Sequence, residues 1–210
     1  YASDLAEHHA VREAAGLFDV SHMGRVELTG PDAAAVLGGL LVSRVHDLDD
    51  GRARYTMLCD EAGGVVDDLI VTRIGATWLL VVNASNTDAV LGVLRAAVAG
   101  REVTLVHRPD HVLIALQGPH AVDVLAAATA ADRAEGAADA TALRPFRAVA
   151  TQVAGAPAVV SRTGYAGEGG FEIACDTAED GHCVWDALLD AGGAHGLLPC
   201  GLAARDSLRL

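Results

Sequence analysis

The sequence has 210 residues, of which 51% are hydrophobic and 20% are charged, and this excludes a chain that is mainly disordered. Its 28 acidic and 15 basic residues give a formal net charge of -13, which disfavours binding to nucleic acid or to an anionic membrane surface. Every basic residue is an arginine, so a Schiff-base lysine and a P-loop lysine are excluded.

Hydrophobic periodicity, helix caps and turn residues predict helices and strands along the whole chain. In chain order they are a helix at 4–15 capped by Ser3, a strand at 25–29, a helix ending at 42, strands at 54–59, 65–74 and 77–83, a helix at 87–99, strands at 102–107, 148–153, 156–162 and 170–175, a helix capped by Thr177, and a helix at 201–210. Strands joined by tight turns with helices laid across them are typical of an antiparallel α+β fold. Apolar runs are too short to span a bilayer, so no membrane association is expected.

Two segments suggest an internal duplication. "ELTGPDAAAVL" (27–37) and "ALQGPHAVDVL" (115–125) each read as a strand that passes through Gly-Pro into a helix. Chance similarity in a sequence rich in Ala, Val and Gly is the alternative.

The four cysteines, Cys59, Cys175, Cys183 and Cys200, are too few and too widely spaced for a disulfide scaffold. We therefore expect reduced thiols and a cytoplasmic protein. No secretory signal opens the chain. A start at Tyr1 and an end inside a predicted helix are typical of a fragment.

Asp67 and Asp68 interrupt "GGVVDDLIVTRI", a strand otherwise built of aliphatic and β-branched residues. A buried carboxylate without a partner is costly, so each needs a partner or a function. Strand alternation places Asp68, Ile70 and Thr72 on one face and Asp67 on the other, so only one carboxylate can face a given pocket. The alternative is that both lie at a strand start and bind backbone amides.

The segment "SRTGYAGEGGFEI" (161–173), called here the glycine loop, allows a tightly turned backbone. Tyr165 and Glu172 are its side chains able to recognise a ligand. A strand follows the loop, whereas a dinucleotide fingerprint opens a helix, so no nucleotide is expected. A glycine-rich hairpin without a ligand is the alternative.

Metal-binding motifs are absent from the sequence. His8 and His9 are adjacent, so on a helix they point about 100° apart and share a metal poorly. No His or Cys pair with metal-ligand spacing occurs, and we expect no metal. His22, in "DVSHMG", is a candidate base.

Six segments together resemble the aminomethyltransferase family, the T-protein of the glycine cleavage system. They follow the family's order and extend over nearly the whole chain: "EHHAVREAAGLFDVSHMG" (7–24), "ARYTMLCDEAGGVVDDLIVTR" (53–73), "WLLVVNASN" (78–86), "ALQGP" (115–119), the glycine loop and "CGLAARDSLRL" (200–210). Each segment alone is moderately specific, and the combination is highly specific.

The resemblance implies two α+β domains with antiparallel sheets and packed helices, the second of them ferredoxin-like, and a C-terminal β-barrel domain that lies outside this chain. The first domain is expected to be discontinuous, with residues 1–50 and 112–210, and residues 51–111 form the inserted smaller domain. The family closes its folate site partly with the third domain. We therefore expect this chain alone to bind tetrahydrofolate weakly or not at all.

The resemblance also implies the site residues. Asp68 falls on the family's catalytic aspartate. The expected folate-binding residues are Tyr55, Asn83 and Tyr165 in the pocket wall, Glu172 at the pterin, and Arg205 at an anionic group. Thr72 stands where other members carry tyrosine.

The implied activity is transfer of a one-carbon unit to tetrahydrofolate with release of ammonia. The donor is an aminomethyl group on the lipoyl arm of a partner, the H-protein. The residue types agree with this assignment, because a single carboxylate such as Glu172 can accept two adjacent pterin N–H groups. Tyr55 and Tyr165 supply aromatic faces, and Arg205 suits an anion.

Other functions stay open at this point. Folate-dependent demethylases and the folate domains of sarcosine or dimethylglycine dehydrogenases share the glycine-loop pattern. A non-enzymatic folate-binding protein that supports iron–sulfur assembly typically has a Lys-Gly-Cys motif, and this chain has no lysine. A structural or interaction domain is the third alternative.

Overall fold

The computed structural model describes all residues from Tyr1 to Leu210. Its helices are α1 (Asp4–Glu13), α2 (Ala33–Leu40), α3 (Thr87–Val98), α4 (Ala121–Ala128), α5 (Ala130–Ala134), α6 (Ala178–Gly192) and α7 (Leu202–Leu208). Its strands are β1 (Ala15–Asp19), β2 (Gly24–Thr29), β3 (Arg52–Cys59), β4 (Val65–Ile74), β5 (Thr77–Val82), β6 (Thr104–His107), β7 (Val112–Gln117), β8 (Ala148–Val153), β9 (Ala156–Ser161), β10 (Gly170–Cys175) and β11 (Leu197–Pro199). None of the helices combines the length and apolar character that crossing a bilayer requires.

The chain divides into two compact units. Unit 1 contains Tyr1–Ser21 and Asp110–Leu210, and unit 2 contains His22–Pro109. The sequence-based boundary at residue 50 differs from this division. Residues 22–50 belong with the inserted unit because β2 pairs along its length with β5 and β6, and such long-range pairing leaves no local mark in the sequence.

Unit 2 is a five-stranded antiparallel sheet in the order β3-β4-β5-β2-β6. Without the edge strand β3, the order of elements is βαββαβ, the ferredoxin-like arrangement. The helices α2 and α3 cover one face of the sheet and form a core with it. Core residues from the sheet include Val26, Leu28, Leu58, Leu69, Val71 and Leu80, and those from the helices include Leu37, Leu91 and Leu94.

Unit 1 has a six-stranded sheet in the order β11-β1-β7-β10-β9-β8. Its strand pairs are antiparallel except for β1 with β11, which is parallel. The helices α4 and α6 pack on one face through an apolar core that includes Ile114, Leu116, Val124, Leu125, Phe171, Ile173, Val184 and Leu188. The predicted α+β class with two predominantly antiparallel sheets is confirmed.

The two units repeat one topology. The strands β7, β8, β9 and β10 take the order β8-β9-β10-β7, and β2, β3, β4 and β5 take the order β3-β4-β5-β2. In each copy a glycine with positive φ ends the first strand, Gly30 at 118° and Gly118 at 125°. A Cβ on Gly30 would lie 2.2 Å from the Glu102 carbonyl oxygen, and a Cβ on Gly118 would lie 2.7 Å from the Ala14 carbonyl oxygen. Steric exclusion of a side chain therefore explains why glycine occurs at both Gly-Pro junctions.

Several local predictions hold. The Ser3 and Thr177 side chains accept hydrogen bonds from the first turns of α1 and α6, as their cap positions predict. Two strands were missed. They are β1 and β11. The first helix was predicted to extend to residue 15, but it ends at Glu13, and β1 begins at Ala15.

Candidate functional site

Each sheet has a second face, which we define as the face opposite α2 and α3 in unit 2 and opposite α4 and α6 in unit 1. In unit 2, Leu69 and Val71 belong to the core beneath the helices. Strand alternation therefore directs Asp67 to the helix face and Asp68 to the second face. The predicted separation of the two carboxylates is confirmed by their burial, because Asp67 is 1% exposed and Asp68 lies at the surface.

Both carboxylate oxygens of Asp67 accept hydrogen bonds from neighbouring residues. Its Oδ1 accepts hydrogen bonds from the side-chain amides of Asn83 at 2.8 Å and Asn86 at 2.7 Å, and its Oδ2 accepts from the Asn83 backbone N–H at 3.0 Å. These bonds join β4 to the segment that opens α3. Asp67 is therefore a structural carboxylate. Asn86 was not singled out from the sequence, although it lies in the same "NASN" segment as Asn83.

Asp68 is held from two sides on the second face. The Tyr55 hydroxyl donates to its Oδ2 at 3.0 Å, and the Asn83 side-chain amide donates to its Oδ1 at 3.1 Å and to its carbonyl at 2.9 Å. Tyr55 is 51% exposed. Three of the predicted site residues thus form one group around an accessible, oriented carboxylate, called here the Asp68 group.

Thr72 lies on the same face of β4 as Asp68, two residues past Ile70, and is buried at 3% exposure. It pairs with Ala53 and Leu79 across the sheet. The small side chain supplies no aromatic surface next to the Asp68 group.

The second face of unit 1 carries a row of paired residues across four strands: Phe18, Ala115, Glu172 and Ser161. Gln117 is two residues beyond Ala115 and shares the face. The helix α1 packs there at Gly16, where a Cβ would lie 2.3 Å from Val11 Cγ2. The polar side chains on this face, Glu172, Ser161 and Gln117, require hydrogen-bond partners or a ligand.

Glu172 is the most unusual member of this row. It is 9% exposed, and its one hydrogen-bond donor is the Thr163 hydroxyl, which in turn lies 2.9 Å from the Ser161 hydroxyl. No arginine pairs with it. Burial raises the pKa of Glu172, and the Thr163 hydrogen bond opposes this only in part. The carboxylate can accept further donors at Oε1.

Gln117 fixes the glycine loop and was not predicted from the sequence as a site residue. Its Oε1 accepts from the backbone N–H groups of Tyr165 at 2.9 Å and Ala166 at 3.4 Å, and its Nε2 donates to the carbonyls of Leu116 and Phe171. The side chain is wholly buried. A polar residue at the end of the apolar strand "VLIALQ" was the signal available, of the same kind as the aspartate pair.

Tyr165 lies between an aromatic ring and a cation. Its ring meets Phe18 edge to face at 5.6 Å between centroids, and the Arg205 guanidinium carbon lies 5.2 Å from the Tyr165 ring centre. Burial raises the pKa of Tyr165, and the positive charge of Arg205 opposes that effect. The Arg205 Nε is buried without a hydrogen-bond partner. We call Tyr165, Arg205 and Phe18 the Tyr165 group.

The helix α1 holds α7, the helix that carries Arg205, at both ends. The buried Glu7 carboxylate accepts from the Gly201 N–H at 2.8 Å, and Arg12 donates to the Leu208 carbonyl at 3.3 Å and pairs with Glu168 of the glycine loop. A carboxylate at the amino end and a cation at the carboxyl end both suit the helix dipole. These contacts fix the position of Arg205.

All four cysteines are free thiols, as predicted. Cys200 is 2% exposed next to Glu7. Burial, with a smaller contribution from the Glu7 charge, raises the pKa of Cys200 to about 12. That thiol stays protonated and unreactive.

The structure thus brings the predicted residues into two groups, one in each unit. Tyr55, Asp68 and Asn83 meet in unit 2, whereas Tyr165 and Arg205 meet in unit 1 near the row that contains Glu172. The Asp68 group offers a carboxylate and an aromatic ring, and the Tyr165 group offers two aromatic rings and a cation. The class defined by this fold is an α+β protein with two predominantly antiparallel sheets.

Comparison with known proteins gives the family. The family model described as "GCVT N-terminal domain" matches residues 2–210. The chain therefore belongs to the GCVT N-terminal domain family. Aminomethyltransferases of Saccharopolyspora erythraea and Bacillus subtilis match the whole chain with 46% identity over 214 residues and 45% over 212 residues. The chain covers 56% of each of these two proteins, so it spans about half the length of the curated relatives it matches.

Two solved structures match most of the chain. The glycine cleavage system aminomethyltransferase T from Bartonella henselae has a TM-score of 0.86 and 36% identity, over 99% of this chain and 53% of that chain. A heterotetrameric sarcosine oxidase from Corynebacterium sp. U-96 has a TM-score of 0.63 and 19% identity, over 94% of this chain and 95% of its own. The second match shows a shared fold alone.

Proposed function

We propose that the protein containing this chain is the tetrahydrofolate-dependent aminomethyltransferase of glycine cleavage. The aminomethyl group is carried by the lipoyl arm of the H-protein, and the one-carbon unit passes to tetrahydrofolate with release of ammonia. The family and the names of the relatives support the reaction class. The proposal concerns the whole protein, because the relatives are nearly twice as long as this chain.

The observation that carries the proposal is the state of Glu172. A buried carboxylate with one hydroxyl partner and no cation destabilises a protein unless a ligand supplies donors. The pterin ring presents two adjacent N–H donors on one edge, and a carboxylate accepts both in a planar, bidentate arrangement. Binding of the pterin would therefore stabilise the charged form of Glu172.

The Tyr165 group suits the remainder of a folate. The unpartnered Nε of Arg205 and its Nη groups can bind an anionic group of the ligand. We propose that Tyr55, Asn83 and Tyr165 line the folate pocket and that Arg205 binds an anionic group of the ligand.

Asp68 is proposed as the catalytic residue. In the reaction the aminomethyl carbon loses its bonds to the lipoyl sulfur and to nitrogen and gains bonds to two folate amine nitrogens. The two protons released by those amines end on the lipoyl thiol and on ammonia. An oriented carboxylate at the reacting amine can position it and relay its proton. The hydrogen bonds from Tyr55 and Asn83 fix the orientation of Asp68 for this role.

Calorimetry of tetrahydrofolate binding to the protein tests the proposal. Glu172→Gln should weaken binding about tenfold or more, because one pterin donor loses its acceptor. Glu135→Gln, an exposed glutamate in the same unit, is the matched control and should bind like the wild type. Unchanged affinity in Glu172→Gln would remove Glu172 from the site. Transfer of the methyl group of sarcosine to tetrahydrofolate with release of glycine, and no ammonia from the aminomethyl donor, would assign a demethylase instead.

A further inference from the structure

Three side chains from two separate segments of unit 1 converge at the amino end of α4: His120 at the N-cap of α4 and Asp123 in its first turn, and His195. Their ligand atoms all lie within 4.8 Å of one another. His120 Nδ1 is 3.1 Å from an Asp123 carboxylate oxygen, and the centroids of the His120 and His195 rings are 5.8 Å apart. We propose that this cluster, the His120 cluster, binds a divalent transition-metal ion of the zinc type.

The donor set supports zinc. Two imidazole nitrogens and one carboxylate oxygen are a recurrent three-ligand set for Zn²⁺, with water in the fourth position. With bonds of about 2.0–2.1 Å in a tetrahedron, neighbouring ligand atoms lie about 3.3 Å apart. The His120–Asp123 separation of 3.1 Å already matches this spacing. The remaining separations close by side-chain rotation, which the partial exposure of all three residues permits.

The backbone beneath the cluster is anchored. The His120 N–H donates to the Ala14 carbonyl at 2.9 Å, directly after the Gly118 turn. On the other side, His195 ends a short 3₁₀ turn, and the next residue, Gly196, has a φ of 67° and comes so close to Ala14 that a Cβ on it would be 3.2 Å away. Both histidine segments thus pack against the same residue. Their spacing is preset, so metal binding costs little backbone ordering.

Charge also favours a cation. Asp123 is the third residue of α4, and its carboxylate offsets the partial positive charge of the helix end, which by itself would repel a metal. The formal net charge of -13 adds a general attraction for cations. No spacing motif marks this cluster in the sequence, because His195 follows His120 at a long interval.

Titration of the purified protein with ZnCl2 tests the proposal by calorimetry. The wild type should bind one Zn²⁺, and His120→Gln and His195→Gln should each weaken binding at least tenfold. Asp123→Asn should weaken it less, since the amide oxygen can still act as a ligand. The unfolding temperature without metal should stay within a few degrees for each variant, because these residues are exposed or half-buried.

Two controls separate this cluster from other donors. His182 and Cys183 are exposed neighbours on α6, and His182→Gln and Cys183→Ser should bind Zn²⁺ like the wild type. With Co²⁺ as the probe, the absorption spectrum should lack the charge-transfer band of a cobalt–thiolate bond. Retained Zn²⁺ affinity in both His120→Gln and His195→Gln, or loss of binding in Cys183→Ser, would overturn the proposal.

Discussion

Asp67 and Asp68 are sequence neighbours whose carboxylates serve opposite faces of one sheet. Asp67 is buried and accepts three hydrogen bonds from Asn83 and Asn86, whereas Asp68 is exposed and is oriented by Tyr55 and Asn83. Asn83 contacts both carboxylates, so it links the structural aspartate to the candidate catalytic one. The same substitution at the two positions should therefore have different effects.

Asp67→Asn should destabilise the protein by about 1–3 kcal/mol, because the new NH2 group faces donors and leaves buried polar atoms unpaired. The measurement is the free energy of unfolding in urea. Asp68→Asn serves as the matched variant, with a change below about 0.5 kcal/mol expected at this exposed position. Equal losses of stability in the two variants would contradict the separation of roles.

Glu172 should make stability depend on pH. Its pKa is raised in the folded state by burial, so its contribution is complete below the unfolded-state pKa, near 4.5, and is lost as pH rises through the folded-state pKa. Between the two values, wild-type stability falls by about 1.4 kcal/mol per pH unit relative to Glu172→Gln. Unfolding of both proteins across pH 4–9 checks this, and parallel profiles would contradict it.

Gln117→Ala should loosen the glycine loop. Removal of the acceptor for the Tyr165 and Ala166 amides leaves both N–H groups unpaired, at a cost of about 1–3 kcal/mol. Hydrogen exchange of these two amides should accelerate more than that of the β7 strand. Gln152, exposed in β8, provides the control substitution to alanine. Unchanged exchange at Tyr165 would show that other contacts hold the loop.

The β8–β9 turn should accept a stabilising substitution. Val153 pairs with Ala156 around the two turn residues Ala154 and Gly155, which have φ values of 53° and 79°. Asparagine tolerates positive φ better than alanine, so Ala154→Asn should stabilise by about 0.5–1 kcal/mol. Ala76→Asn, in a two-residue turn where Ala76 has no positive φ, should give no gain. Equal thermal shifts in the two variants would refute the backbone explanation.

Local chemistry made much of this structure predictable. The caps at Ser3 and Thr177, and the opposite faces of Asp67 and Asp68, follow from periodicity and hydrogen-bonding capacity within a few residues. The resemblance of six motifs supplied the site residues. In the structure, Tyr55 and Asn83 contact Asp68 in unit 2, and Arg205 contacts Tyr165 in unit 1.

The missed features depend on contacts far apart in the chain. The strand β1 is five residues long and lies between β7 and β11, which come from the middle and the end of the sequence. Gln117 is uncharged, so its burial is not unusual enough to mark it in the sequence. Its hydrogen bonds to the backbone of the glycine loop exist only in the folded structure. The domain boundary and the His120 cluster likewise follow from pairings that adjacent residues do not encode.

The central claim is that Asp68 acts in the chemistry of aminomethyl transfer and Glu172 in the binding of folate. The direct measurement compares ammonia release from the aminomethyl-loaded H-protein with the Kd for tetrahydrofolate in Asp68→Asn and Glu172→Gln. The account predicts that Asp68→Asn lowers the rate by about 100-fold or more while Kd stays within tenfold, and that Glu172→Gln raises Kd. Equal losses of folate affinity in both variants, or full activity in Asp68→Asn, would contradict it.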